Sequence, residues 1–236
     1  MKIESFPRKL FLFRNNLCMF AQTQNELHNM KHMSILAVSL LALVACTPEK
    51  KQEADYSQYV NPMIGTDFTG NTYPGAQVPF GMVQLSPDNG LPGWDTTIAG
   101  FSHTHLSGTG AGDLYDISFM PVTRPYKEAP APLGIYSTFS HNDEAASAGY
   151  YRVLLKDYNI NVELTATERC GIQRYTFPEA EASVFLNLKK AMNWDFTLDS
   201  KIEVVDSTTI RGYRLSQGWS PLQHVYFETR FSKPFV

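Results

Sequence analysis

The chain has 236 residues, of which 43% are hydrophobic, 13% aromatic and 18% charged, and its formal net charge is −3. Such a composition supports one or two globular domains with a real core. The slightly acidic balance excludes nucleic acid as an expected partner.

The first residues read as targeting sequence. Ser34 to Ala45 is an apolar run without charge, too short for a membrane span of about 20 residues and typical of the apolar region of a signal peptide. Lys31 precedes it, and Leu43-Val44-Ala45-Cys46 follows it in the manner of a bacterial lipobox, with Cys46 as the lipid-bearing residue. Residues 30–46 are therefore expected to be a lipoprotein signal peptide, and 1–29 an upstream extension ahead of a true start at Met30 or Met33. Residues 47–57, rich in Glu, Lys and Gln, read as a tether. The expected destination is the periplasm or outer-membrane surface, with the membrane as partner through a lipid anchor. Of three cysteines, Cys18 and Cys46 lie in or before the signal. Only Cys170 remains, so no internal disulfide is expected, and its strand-like setting suggests a small buried apolar residue.

Beyond Tyr56 the pattern is one of short strands. Gly81–Leu85, Ile117–Met120, Tyr150–Lys156, Ile160–Ala166, Cys170–Phe177, Ser183–Leu188, Ile202–Val205, Thr208–Leu215 and Val225–Phe231 follow one another with turn residues between. Ile160 to Ala166 alternates apolar and polar cleanly, as a strand with one buried face does. Asp143 to Ala148 is expected to form one helical turn. Gly65–Pro79 and Gly90–Asp113 read as long loops, and loops of that length in a compact domain are usually functional. The series implies an antiparallel β-sandwich or barrel.

The densest chemistry lies in Gly100-Phe101-Ser102-His103-Thr104-His105-Leu106-Ser107-Gly108-Thr109-Gly110-Ala111-Gly112-Asp113, which sets two histidines and an aspartate among serines, threonines and four glycines. Loops of this kind carry sites more often than stability. His103 and His105, two residues apart, share a face if extended. They suit metal ligation with Asp113 or Asp116, hydrogen bonding to sugar hydroxyls, acid–base work, or the plain shaping of a loop. Trp94 offers a flat face for a pyranose ring and Asp95 an acceptor for two hydroxyls; a buried loop anchor is the alternative reading. Asp88, Asp95, Asp113 and Asp116 are the available carboxylates, although Asp67 and Asp88 beside glycines read as turn formers. There is no nucleophile elbow, phosphate loop, paired-cysteine zinc site or basic stripe.

Several of these motifs occur together and in order. Val60-Asn61-Pro62-Met63-Ile64-Gly65-Thr66, Tyr73 to Asp88, Gly93-Trp94-Asp95 and Gly100 to Gly110 resemble the N-terminal domain of glycoside hydrolase family 92, and the resemblance runs from Tyr59 to Val236. It implies a secreted, calcium-dependent, inverting exo-α-mannosidase whose N-terminal part is a β-sandwich of the galactose-mutarotase-like, or super-sandwich, type. It further implies a larger helical domain that carries the acid, the base and the calcium site. On this reading residues 58–236 are the sandwich domain, incomplete at its C-terminus. Trp94, Asp95, His103 and His105 line or support a mannose pocket, with Gly65 and Thr66 beside them, and no residue here is the catalytic acid or base. The helical domain is the intramolecular partner, a mannose-containing glycan the ligand, and no cofactor is expected on this part. Alone, it is expected to be inactive and poorly soluble. A surface-anchored carbohydrate-binding module is the alternative function, and a cupin-like metalloenzyme using His103 and His105 a third.

Overall fold

Alternation of buried and exposed side chains organises the domain. A computed structural model of the chain describes residues 54–67, 70–89, 96–106, 114–123, 134–178, 181–189 and 195–236. Ala54–Val236 forms one unit by itself. Among the described residues the strands are β1 (Ser86–Asn89), β2 (Thr97–Ser102), β3 (Ser118–Val122), β4 (Ser137–Thr138), β5 (Glu144–Ser147), β6 (Tyr150–Leu155), β7 (Ile160–Ala166), β8 (Gly171–Thr176), β9 (Ser183–Asn187), β10 (Phe196–Val204), β11 (Thr209–Gln217) and β12 (Gln223–Arg230). Among the described residues the helical segments are two short 3₁₀ turns.

The strands form three antiparallel sheets. A central sheet runs β1-β2-β3-β9, with β4 pairing β2. The meander β5-β6-β7-β8 is the second and β10-β11-β12 the third. Every residue of β3 is buried, and its side chains divide between two cores. Met120 and Val122 pack with Phe101 and Leu85 against Tyr151, Val153, Leu155, Ile160, Val162 and Leu164 of the meander. Phe119 joins Ile117 and Leu188 against Val225, Phe227 and Phe231. The central sheet is thus covered on both faces, which is why β3 shows no alternation. In the meander Ile160–Ala166 reads buried–exposed along its length, as its sequence pattern requires.

The structure corrects four expectations. The strand expected at Gly81–Leu85 begins instead at Ser86, and Leu85 makes only an isolated bridge to Ala76. Pro87 is tolerated within β1 because, among the described residues, that strand lies at the edge of its sheet and pairs with β2 alone. Part of the expected Gly90–Asp113 loop is β2, whose Gly100 has φ 144° and approaches β3 so closely that a Cβ would lie 2.4 Å from Ser118 Oγ. The helical turn expected at Asp143–Ala148 is a 3₁₀ turn at His141–Asp143 followed by β5. Cys170, expected to be buried, is exposed, because it sits in the Thr167–Cys170 turn ahead of β8. At the far side, Leu198, Ile202 and Val204 of the edge strand β10 remain 50%, 47% and 63% exposed.

Candidate functional site

Where β2 ends at Ser102 the chain stays extended, and His103–His105 is laid between two neighbouring segments. The Gln84 amide donates to the His103 carbonyl (2.8 Å), and the His103 amide donates to the Asp116 carbonyl (2.9 Å). The Tyr115 amide donates to the Thr104 carbonyl at 3.1 Å, and His105 bridges Leu114. The segment is therefore anchored on both sides by backbone.

Its side chains are anchored too. Asp88 is 1% exposed. Its Oδ2 accepts from Ser102 Oγ at 2.7 Å and from Ser118 Oγ at 2.8 Å, so one carboxylate ties β1, β2 and β3 together. Its Oδ1 lies 2.8 Å from His105 Nε2. The other ring nitrogen, Nδ1, is 2.8 Å from the Gln84 carbonyl, which only accepts, so Nδ1 is the donor. With that nitrogen committed, the contact between Nε2 and Asp88 is a hydrogen bond only if the pair carries a proton between them. Burying a carboxylate without donors is costly; the bonds from the Ser102 and Ser118 hydroxyls offset part of that cost. Tyr73 stacks on His105 with ring centroids 5.6 Å apart, and Tyr115 meets it edge-on at 5.4 Å. Burial pushes the Tyr73 phenol up to about 12, and burial together with the Asp88 charge does the same to Tyr115.

His103 takes different partners. Its Nδ1 donates to the Ile117 carbonyl at 2.8 Å, and its ring packs edge-on against Phe119. Gly171 makes room for it, since a Cβ there would lie 2.6 Å from His103 Cδ2. Burial lowers the His103 pKa below the ordinary histidine value, more than the Ile117 hydrogen bond and the Asp88 charge raise it. The fold therefore favours the neutral ring. In the unfolded chain an ordinary histidine titrates at about 6.5, so below that pH the unfolded state binds the extra proton first. Stability contributed by His103 is complete above about pH 6.5 and is lost on acidification by at most about 1.4 kcal/mol per pH unit. Denaturation midpoints of wild type are expected to fall from pH 7.5 to 5.5, and His103→Gln to flatten that fall; equal slopes would show that His103 does not carry it.

A second buried cluster adjoins the first. Arg214 of β11 is 0% exposed. Its Nη1 donates to Asp116 Oδ1 (2.6 Å), Ser216 Oγ (2.9 Å) and the Leu114 carbonyl (3.1 Å). Its Nη2 donates to Asp195 Oδ2 at 2.9 Å, and its Nε reaches Thr197 Oγ1 and the Leu188 carbonyl. Asp116 in turn accepts from Thr104 Oγ1 at 2.7 Å, and that hydroxyl accepts from the Asp116 amide at 3.0 Å. Leu114, Tyr115 and Ile117 all have positive φ, at 75°, 52° and 56°. Backbone of this kind costs about 1–3 kcal/mol per residue and gathers at functional segments.

The sequence-predicted residues thus part company. His103 is half-buried on one side of Thr104 and His105 is buried on the other, in the polar seam where it meets Asp88, which the sequence reading took for a turn former. Gly65 and Thr66 form a separate turn: Gly65 has φ 80°, its carbonyl accepts from the Thr72 amide, and Thr66 Oγ1 donates to the Met63 carbonyl. That turn reaches the seam through the chain itself, since Tyr73, which stacks on His105, directly follows Thr72. Trp94, Asp95, Asp113 and Cys46 lie outside the described residues. Arg214 was missed altogether, although a signal for it existed. In Ile210-Arg211-Gly212-Tyr213-Arg214 strand alternation puts Arg214 on the face of Ile210, and a charged residue on an apolar face demands buried partners.

Chemically the seam holds loops and exposes no acid. Asp88 and Asp116 are each 1% exposed, and each of their carboxylate oxygens already has a polar partner. Glycoside hydrolysis by inversion needs two carboxyls reaching the substrate about 6.5–9.5 Å apart, and neither of these reaches solvent. Calcium requires about 6–8 oxygen ligands. These carboxylates already face serine, threonine, histidine and arginine donors, and among the described residues no three His, Cys, Asp or Glu side chains gather as a metal cluster. The seam does not fit a calcium ion.

Stacked antiparallel sheets around such a seam define a β-sandwich domain. Residues 59–236 match the glycosyl hydrolase family 92 N-terminal domain, and the chain belongs to that family. The structure resembles that of the family GH92 α-mannosidase BT3965 from Bacteroides thetaiotaomicron in complex with mannoimidazole. The TM-score is 0.69 at 41% identity, over 75% of this chain and 25% of that one. It also resembles the GH92 family glycosyl hydrolase ccman5, with a TM-score of 0.64 at 26% identity, over 74% of this chain and 26% of that chain. An uncharacterized secreted glycosidase of Arthroderma benhamiae is 26% identical over 170 residues, 65% of this chain and 21% of that protein. The chain spans about a quarter of the length of these relatives.

Proposed function

We propose that this chain forms one wall of the mannose-binding pocket of a secreted family 92 α-mannosidase and performs no hydrolysis by itself. The observation that carries this reading is the sealed state of Asp88 and Asp116. The polar loop that looks most like an active site spends both carboxylates on holding His103–His105 and Leu114–Ile117 in place. Mannoimidazole bound to a relative 41% identical to this chain supports a mannose-configured ligand, and the secreted relative supports export. Trp94, Asp95, His103 and His105 are the residues proposed to face or support the sugar, with Gly65 and Thr66 shaping the adjoining turn. The acid, the base and any calcium belong to a helical partner domain that packs against this one. Cys46 carries the lipid that anchors the protein.

The test pairs an assay with a titration on the purified chain. Incubation with α-mannosides and calcium is expected to give no product, whereas calorimetry with mannose oligosaccharides is expected to show weak binding. Product formation would refute the non-catalytic role; absence of heat at millimolar ligand would refute the pocket wall.

A further inference from the structure

We infer that Arg214 is a positioning residue for the sugar-facing segment, acting through Asp116 on Thr104 and thereby on both neighbouring histidines; this rests on the function proposed above. Three observations carry it. First, Arg214 belongs to the third sheet, yet its Nη1 reaches Leu114 and Asp116 in the segment beside His103–His105. Second, the chain of contacts does not stop there. Asp116 takes the Thr104 hydroxyl on its side chain and the His103 amide on its carbonyl. A displacement of Asp116 is therefore transmitted to the residues on either side of Thr104. Third, Asp116 sits among three non-glycine residues at positive φ, a backbone that persists only where its surroundings over-determine it. The guanidinium supplies that determination on one side, and the Thr104 hydroxyl supplies it on the other.

The choice of arginine follows from the geometry. Two buried carboxylates, Asp116 and Asp195, lie on different nitrogens of one planar fork. A lysine ammonium keeps the charge but not the fixed fork, so it cannot hold both carboxylates and the Leu114 carbonyl at once. Lysine at this position should leave the domain folded and the segment loose.

Hydrogen exchange on the 236-residue chain tests this with Arg214→Lys and Thr104→Val, the second of which leaves the Arg214–Asp116 pair whole. The amides of His103, His105 and Tyr115 report the segment, because they donate to the Asp116 carbonyl, Gln84 Oε1 and the Thr104 carbonyl. Val153, Val162 and Leu164 of the meander serve as the reference. Exchange at the three reporters is expected to quicken by about tenfold or more in both variants, with the reference amides unchanged. Unchanged reporters, or an equal rise at the reference amides, would overturn the positioning role; should Arg214→Lys not fold, Asp116→Asn, which keeps the side chain's shape but removes the charge that Arg214 pairs with, is read in the same way. Titration with methyl α-mannoside adds the functional arm. If wild type binds and the variants bind equally well, the clamp has no part in the site and the inference fails. If wild type does not bind, the proposed function falls, and the exchange data still decide whether Arg214 sets the segment.

Discussion

Asp88→Ala is expected to remove about 3–5 kcal/mol of stability, the loss typical when one member of a buried charged network is deleted. For a domain of this size that is on the order of 10 °C in melting midpoint. The reason is the number of groups stranded at once. Ser102 Oγ, Ser118 Oγ and His105 Nε2 all converge on this carboxylate, and all lie where water does not reach, so each forfeits its partner without a substitute. Three strands would also lose their common tie. Asp88→Asn separates the charge from the shape. The amide fills the same space and can still bond to both serines, whose hydroxyls rotate, but it cannot serve as a carboxylate toward His105. A loss of about 1–3 kcal/mol is expected. Denaturant titration of the three proteins checks the ordering; an alanine variant as stable as wild type would mean that the seam contributes nothing to folding.

Gly100→Ala is expected to be comparably severe for a steric reason. At φ 144° the residue occupies backbone that side chains rarely adopt, and the added Cβ would meet Ser118 Oγ at 2.4 Å, the Phe119 carbonyl at 3.3 Å and Asp88 Oδ2 at 3.4 Å. Backbone strain costs about 1–3 kcal/mol, and displacing the Ser118 hydroxyl from Asp88 costs about 1–3 kcal/mol more. A double-mutant cycle isolates the second part. In a Ser118→Ala background the nearest clash is gone, so Gly100→Ala should cost about 1 kcal/mol less than in wild type. Strict additivity would show that the Ser118 contact is not the source of the loss.

These two positions also show what sequence can and cannot reveal. The meander was legible because Ile160–Ala166 buries one face and exposes the other, and period-two hydrophobicity reports that directly. Strand β2 was not, because Thr97-Ile98-Ala99-Gly100-Phe101-Ser102 owes its place to a close approach to β3, and a glycine there reads as loop. Asp88 looked like a turn former because its serine partners lie 14 and 30 residues away, and nothing local announces such a convergence. The family emerged from the order of long motifs rather than from any one site residue. The histidines were found by type, but their role changed once their partners were known. His103 is held by a carbonyl and His105 by a carboxylate that never meets solvent.

The doubly covered strand β3 has a consequence for how the protein is made. It pairs with β2 on one side and with β9 on the other, where Ser118 meets Asn187. The whole meander β5–β8 lies between those partners in the chain. The meander consists of successive hairpins and can form from near neighbours in sequence. The central sheet must wait for β9, leaving the apolar residues of β3 uncovered during folding, and pairings this distant in sequence are slow. Even then the Phe119 face of β3 stays open until β12 and Phe231 arrive, so the last part of the chain closes the second core.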